Sequence, residues 1–98
     1  MTEQQIQTKI INTLRKDGWY VNKLISTSLK GVPDLICHKD GKTVYIEVKR
    51  PGQKPRILQE FRMKELNSFS IPTLTLTSEI ECLQKLQSII YPKDWTSL

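Results

Sequence analysis

Two short apolar segments joined through an Asp-Gly pair constrain the fold of this chain more than any other feature. The segments are residues 31–37 and 44–49, and Asp40-Gly41 lies midway between them. An Asp-Gly pair between apolar segments is a strong signal for a two-residue β-hairpin with a type I′ turn. With these two residues at the tip, Lys39 faces Lys42, and counting outward places Asp34 opposite Glu47.

This register places three charged residues on one face of the hairpin. Opposed residues in an antiparallel pair are about 4.5–5.5 Å apart at Cα and project from the same face. Lys49 is two residues beyond Glu47 and shares that face with it and with Asp34. The other face is apolar throughout: Leu35, Cys37, Val44, Ile46 and Val48.

Two opposed carboxylates repel each other unless positive charge lies between them. A divalent cation and the Lys49 amine would each relieve that repulsion. The alternative is a surface salt-bridge cluster of the same three side chains. The apolar strands around the acids, and a register set independently by the turn, favour a functional site.

Length and charge limit the class of protein. Ninety-eight residues predict one domain, residues 1–98, with a modest core. The net charge of +5 favours a polyanionic partner, nucleic acid before a membrane surface, although many small domains are basic for solubility alone. Cys37, Cys82 and the single His38 form no zinc pattern, so we expect Cys37 to be a small core residue.

The N-terminus is polar, and no apolar run approaches the ~20 residues of a membrane span. Together with unpaired cysteines, this predicts a protein of the cytoplasm, without a membrane partner.

The periodicity predicts the element order αβββαβα. The elements are a helix over 2–16 with a Thr2–Gln5 capping box, a strand over 19–26, the hairpin, a helix over 55–68, a strand over 71–77, and a helix from Ser78 that ends before Pro92. The third strand, second helix and fourth strand form a crossover, expected to be right-handed with parallel strands. The fold class is α/β, with a mixed sheet of the α+β kind.

The helices are expected to bury apolar stripes. For the second helix the stripe is Leu58, Phe61, Leu66 and Phe69, bordered by Gln59; for the third it is Ile80, Leu83, Leu86 or Gln87, and Ile90, after a Ser78–Glu81 capping box. In the first helix Glu3 projects onto the middle of the stripe Ile6, Ile10 and Leu14. Either the Glu3 carboxylate has a binding partner on that face, or Glu3 only stabilises the helix as an acid in its first turn, where it interacts favourably with the helix dipole.

Acids and an amine on one sheet face suit phosphodiester hydrolysis. Carboxylates hold Mg²⁺ or Mn²⁺ through hard oxygen ligands, and the Val48 carbonyl is a further candidate ligand. The metal lowers the pKa of a bound water. Lys49 can orient or deprotonate that water, or neutralise the transition state.

The spacing Pro33-Asp34, twelve residues, then Glu47-Val48-Lys49 resembles the PD-(D/E)XK nuclease signature. One branch of that superfamily, the VRR-NUC (virus-type replication-repair nuclease) domain, is resembled in particular. The similarity lies in residues 31–35 and 46–49 and in Gln59 of the next helix. The resemblance implies a restriction-endonuclease-like αβββαβ core with an extra C-terminal helix. The family often carries a Ser before this Gln, whereas this chain reads Lys54-Pro55-Arg56-Ile57-Leu58 there.

The resemblance also implies roles. Asp34 and Glu47 would bind Mg²⁺ or Mn²⁺ with the Val48 carbonyl, and Lys49 would be catalytic. Glu3 and Gln59 would support the metal, its waters or the substrate. The activity implied is a metal-dependent DNA endonuclease acting on branched, Holliday-junction-like DNA. A lone domain such as this one resembles the phage members of the family, which are associated with homodimers. A phage-encoded protein would be expected in the cytoplasm of the host cell.

An apolar dimer interface could come from Tyr91, Trp95 and Leu98 or from the first-strand region, unless these residues pack on their own domain. Candidate phosphate contacts are the basic residues Lys30, Arg50, Lys54, Arg56 and Arg62, with Lys23 and Lys64. Trp19 and Tyr20 could stack on bases, but burial in the first strand is preferred. His38 is expected to be an exposed hairpin residue.

Three alternatives stay open. One is a non-catalytic nucleic-acid-binding module, and another is a nickase or flap nuclease with the same site. The third is a small structural or regulatory protein, whose binding would be insensitive to salt.

Overall fold

The structure is a computed structural model that describes residues 1–90. Its order is αβββαβα, as predicted, and the fold class is mixed α and β. The elements are α1 (Glu3–Lys16), β1 (Tyr20–Lys23), β2 (Leu35–Lys39), β3 (Lys42–Val48), α2 (Ile57–Ser68), β4 (Thr73–Leu76) and α3 (Cys82–Ile90). Tyr91, Pro92, Trp95 and Leu98, named above for the end of the last helix and for a dimer interface, lie outside the described residues.

The four strands form one sheet in the order β1-β2-β3-β4. β1 pairs with β2, and β2 with β3, in antiparallel fashion, whereas β3 and β4 are parallel. Ile36 lies opposite Tyr45 and Lys39 opposite Lys42, which confirms the predicted hairpin register. Asp40 and Gly41 have φ angles of 51° and 75°. Positive φ at both central residues is the signature of the type I′ turn.

One face of the sheet carries the hydrophobic core. α1 and α3 cover this face, and they pack against each other. Alternate residues of β2 and β3 point into it, since side chains alternate along a strand. The fully buried members include Ile10, Leu14, Leu35, Cys37, Val44, Ile46, Val48, Leu76, Cys82 and Leu86. Cys37 is therefore a core residue, as expected.

The opposite face is covered by α2, which lies against β4. The Thr75 hydroxyl lies 3.9 Å from the Met63 sulfur across this contact. No residue of α2 is fully buried. The predicted apolar side of this helix was wrong in part: Leu58, Phe61 and Phe69 are 44%, 55% and 75% exposed. A helix that contacts the sheet mainly at one strand has too little opposing surface to cover a wide apolar stripe.

The helix termini follow local chemistry. Thr2 and Gln5 form the predicted capping box at the start of α1. At α3 the prediction was wrong, because the helix begins at Cys82 and the Glu81 carboxylate instead accepts hydrogen bonds from the backbone and hydroxyl of Thr77. Ile80 consequently precedes the helix and is 86% exposed. Leu83 is also exposed, at 36%, so the buried part of the predicted stripe is Leu86 and Ile90.

The first strand is shorter than predicted. Trp19 is buried, as expected, but it precedes β1, and its indole N–H donates to the Asp17 carboxylate. Tyr20 is exposed, which corrects the expectation that it is buried, and Ile25 lies beyond the strand. His38 is half-buried rather than exposed, and its Nδ1 lies 2.9 Å from the Thr43 hydroxyl. Within residues 1–90, no helix has both the length and the apolar character needed to cross a membrane.

Candidate functional site

The hairpin brings Asp34 and Glu47 together at the end that is far from its turn. Asp34 directly precedes β2, and its carboxylate Oδ2 accepts a 2.9 Å hydrogen bond from the backbone N–H of Val48. The carbonyl of Asp34 accepts a second bond, of 2.8 Å, from the N–H of Leu24. These two bonds fix Asp34 between β1 and β3.

Glu47 is a fully buried acid within a strand. Its side chain is inaccessible to solvent, and neither carboxylate oxygen accepts a hydrogen bond within the described chain. Burial, and next the negative charge of Asp34, raise the pKa of Glu47 to about 7, although the neighbouring Lys49 acts in the opposite direction. Burying an acid without hydrogen bonds is costly, so the arrangement is typical of a site rather than of a core.

Lys49 supplies the positive charge beside the acids. Its Nζ lies 3.0 Å from Glu47 Oε2, at ion-pair distance but outside hydrogen-bond geometry. The side chain is only 10% exposed. Its backbone N–H donates to the carbonyl of Leu76 in β4, which holds the residue at the end of the parallel strand pair. The site thus combines two carboxylates and one amine on the α2 face of the sheet.

The donor set fits a hard divalent cation. Both Glu47 oxygens lack hydrogen-bond donors, and Asp34 uses only Oδ2 in the bond to Val48. Carboxylate oxygens supplemented by a backbone carbonyl and water are ligands of Mg²⁺ and Mn²⁺. No group of three or more His, Cys, Asp or Glu side chains that could hold a metal occurs among residues 1–90. The remaining ligands would therefore be water or the Val48 carbonyl.

Two further predicted residues lie outside this group. Glu3 is the first residue of α1 and is half-buried, and the structure does not gather it with the two carboxylates into one metal-binding group. Gln59 lies half-buried on α2, and its amide oxygen accepts a 2.8 Å hydrogen bond from the backbone N–H of Arg56. Gln59 therefore caps the helix through its oxygen, and within residues 1–90 its NH₂ group donates no hydrogen bond.

Most of the basic residues predicted to contact phosphate are exposed. These are Lys23, Lys30, Arg50, Lys54, Arg56 and Lys64. Arg62 differs, because its guanidinium donates a 2.8 Å hydrogen bond to the carbonyl of Lys30 and lies 3.3 Å from the Glu65 carboxylate. Arg62 thus ties α2 to the loop before β2, a structural role that competes with phosphate contact.

Sequence reasoning missed two features, one in the loop before Asp34 and one in α1. Gly31 has φ +81°, and a Cβ there would lie 2.7 Å from Leu58 Cγ, so the glycine allows the first turn of α2 to approach β2 closely. Its position in Gly31-Val32-Pro33-Asp34 was the available signal. Gln7 is a buried polar residue one turn after Glu3, on the inner side of α1. Its place in the apolar stripe of that helix could have identified it.

Comparisons with known proteins show what the fold and part of the sequence are similar to. The chain is similar to a solved structure described as a VRR_NUC domain, with a TM-score of 0.73 and 22% sequence identity over 93% of this chain and 97% of that one. It is also 37% identical, over 54 residues, to the protein "Putative nuclease p44" of Acyrthosiphon pisum secondary endosymbiont phage 1. That match covers 54% of this chain and spans 58% of the length of the relative. No family model matches.

Proposed function

We propose that this chain, which has the fold of a VRR_NUC domain, is a Mg²⁺- or Mn²⁺-dependent endonuclease that hydrolyses phosphodiester bonds in DNA. The fold likeness and the nuclease name of the phage relative support this proposal. The basic surface of a chain with net charge +5 supports a nucleic-acid substrate.

One observation carries the proposal: Glu47 is buried, its oxygens accept no hydrogen bond in the described chain, and it lies beside Asp34 and Lys49. A purely structural acid at this position would have its oxygens hydrogen-bonded or be replaced by an apolar residue at little cost. A buried carboxylate that is ion-paired with a lysine amine but accepts no hydrogen bond in residues 1–90 suits a cation ligand.

The residues would divide the reaction between them. Asp34 and Glu47 would hold the metal, with the Val48 carbonyl and, through water, Glu3. The bound metal would supply an activated water and neutralise charge on the phosphate. Lys49 would orient the water and stabilise the extra negative charge as the new P–O bond forms and the ester P–O bond breaks. Gln59 would donate its unused NH₂ to water or substrate.

We propose further that the substrate is branched DNA and that the chain acts on it as a homodimer. One chain presents one such site, and paired cuts across a four-way junction need two. β1 is an edge strand of the sheet, and Tyr20 (66% exposed) and Ile25 (88% exposed) lie on or next to it. An unpaired strand edge with exposed apolar neighbours suits pairing with a second copy. Phosphate contacts would come from Lys30, Arg50, Lys54 and Arg56, with Arg62 if its intramolecular bonds open.

The test is cleavage-site mapping on a four-way junction, a flap and a plain duplex, with Mg²⁺, Mn²⁺ or EDTA. We expect metal-dependent cuts by the wild type, none in EDTA, and none by Asp34→Ala. Paired symmetric cuts support the dimeric resolvase, whereas single-strand nicks support the nickase or flap nuclease. If wild type and Asp34→Ala bind DNA equally and neither cuts, the protein is a non-catalytic binding module.

A further inference from the structure

The outer side of α2 presents two large apolar side chains to solvent. Ile57 is 88% exposed and Phe61 is 55% exposed. They are four residues apart, so they lie one above the other on the same side of the helix. We name this pair the apolar edge. Exposed apolar surface bordered by charge marks an interaction site more often than isolated exposed residues do.

The first turn of α2, where the apolar edge begins, packs on the loop that leads to Asp34. Leu58, which follows Ile57, packs so tightly on Gly31 that a Cβ at the glycine would lie 2.7 Å from Leu58 Cγ. Gly31 is three residues before Asp34, a span of at most about 11 Å along the chain. The first turn of α2 is thereby held beside the residue that carries the first acid.

A second contact holds Phe61, the other member of the apolar edge. The Arg62 guanidinium lies 5.3 Å from the centre of the Phe61 ring, and its Nε donates a 2.8 Å hydrogen bond to the carbonyl of Lys30. Phe61 is therefore held near the same loop before β2 that Leu58 contacts. Phe61 thus has a fixed neighbour on one side, and Ile57, one turn earlier, is almost fully open to solvent.

The charge around the apolar edge is mainly positive. Arg56 directly precedes Ile57, Lys54 is three residues before it, and Lys30 lies across from α2; all three are exposed. Of the two acids in α2, Glu65 is paired with Arg62, which leaves Glu60 as the other negative side chain. This complementarity selects a polyanion with apolar faces over a second copy of a basic chain. DNA with unstacked bases has both properties.

We infer that Ile57, supported by Phe61, packs against unstacked bases of DNA at a branch point, while Lys54, Arg56 and Lys30 hold the adjoining phosphates. This inference rests on the proposed function and assigns substrate selectivity to it. Duplex DNA keeps its bases stacked and would have to be unstacked before this contact forms. Junctions and flaps already expose such bases, so the apolar edge favours them.

The test uses 2-aminopurine placed at the branch point of a flap, with the full chain in EDTA, so that binding is measured without cleavage. We expect the wild type to change the fluorescence of the probe on binding. Ile57→Ala should lose most of that change and bind the flap about tenfold more weakly, the loss expected for one apolar or stacking contact. Its affinity for plain duplex should change little.

Ile80→Ala is the matched control. Ile80 is 86% exposed, nearly the same as Ile57, and it lies next to α3 rather than α2. Truncating either side chain leaves the core intact, so both variants should fold. Ile80→Ala should behave like the wild type in fluorescence and affinity.

The outcomes separate the two proposals. A wild type that binds flap DNA and gives the fluorescence change, with Ile57→Ala identical to it, overturns this inference alone. A change in oligomeric mass of Ile57→Ala by light scattering also overturns it, because the apolar edge is then an interface between copies. A wild type that neither binds these DNAs in EDTA nor cuts them with Mg²⁺ or Mn²⁺ overturns the proposed function itself.

Discussion

The backbone N–H of Val48 donates a 2.9 Å hydrogen bond to the carboxylate of Asp34. This bond joins the residue before β2 to the last residue of β3 and closes the open end of the hairpin. Asp34 therefore has a structural role that is separate from any part in chemistry. The two roles can be separated by substitution, because an amide oxygen accepts the same hydrogen bond without the charge.

Asp34→Asn should keep the fold and lose the activity. The Asn oxygen can accept from Val48, so we expect the urea midpoint to stay close to that of the wild type, while metal-dependent cleavage falls at least about 100-fold. Asp34→Ala should lose both, with the free energy of unfolding reduced by about 1–3 kcal/mol. Urea denaturation and single-turnover cleavage measure the two effects. Equal destabilisation by Asn and Ala would contradict the structural role of the carboxylate oxygen.

The stability of the metal-free protein should fall as pH rises from about 4.5 to 7. The pKa of Glu47 is raised from 4.5 to about 7 in the folded state, first by burial and then by Asp34. Between these values the folded state keeps the proton that the unfolded state has lost, so unfolding becomes easier with increasing pH. The full effect is on the order of 3 kcal/mol, or several degrees in Tm. Thermal unfolding in EDTA across this range measures it.

Glu47→Gln provides the control for that pH profile, since the amide does not titrate. Its Tm should lack the decline seen in the wild type over the same interval. Adding Mn²⁺ at pH 7.5 should raise the Tm of the wild type, because a ligand that binds only the folded state stabilises it, and should leave Glu47→Gln nearly unchanged. A wild-type profile parallel to that of Glu47→Gln would show that another group controls the pH dependence.

Gly31→Ala should destabilise the protein more than Gly52→Ala does. Both glycines have similar positive φ angles, +81° and +84°, but only Gly31 lies against Leu58, whereas a Cβ at Gly52 would meet nothing within 4 Å. The φ strain alone costs roughly 1–2 kcal/mol, and the contact should add at least about 1 kcal/mol. Chemical denaturation of both variants measures the difference. Equal losses would mean that Leu58 moves away without cost.

The thiols of Cys37 and Cys82 should be unreactive in the folded protein. Both are fully buried, and burial raises the pKa of each to about 12. The thiolate is the reactive form, so Ellman's reagent at pH 8 should label neither until the protein unfolds. Labelling in increasing urea should follow the unfolding curve. Rapid reaction of one thiol in native buffer would show that the core opens locally.

The sequence was most informative where local chemistry decides geometry. Asp40-Gly41 fixed the hairpin register, and that register places Glu47 and Lys49 on one face. These features depend on neighbouring residues alone. The bond from Val48 to Asp34 adds detail that no pattern of residue types contains.

The sequence was least informative about α2, where tertiary packing decides. Phe61 and Phe69 have the spacing of a core stripe, yet the helix covers little more than β4 and leaves them exposed. Periodicity reports which residues share a side of a helix, but not whether another element lies opposite that side. The close contact of Gly31 with Leu58 could not be predicted for the same reason.

The length of the two-residue turn at Asp40 and Gly41 decides which residues of the two strands point to the same face of the hairpin. Adding or deleting one residue there would shift one strand by a single position and send one of the two acids to the core side of the sheet. Such a chain could still pair its strands while having no place for a cation. The turn is at the end of the hairpin opposite the two acids. A change in its length would thus leave a chain that can still fold but can no longer bind a metal or cleave DNA.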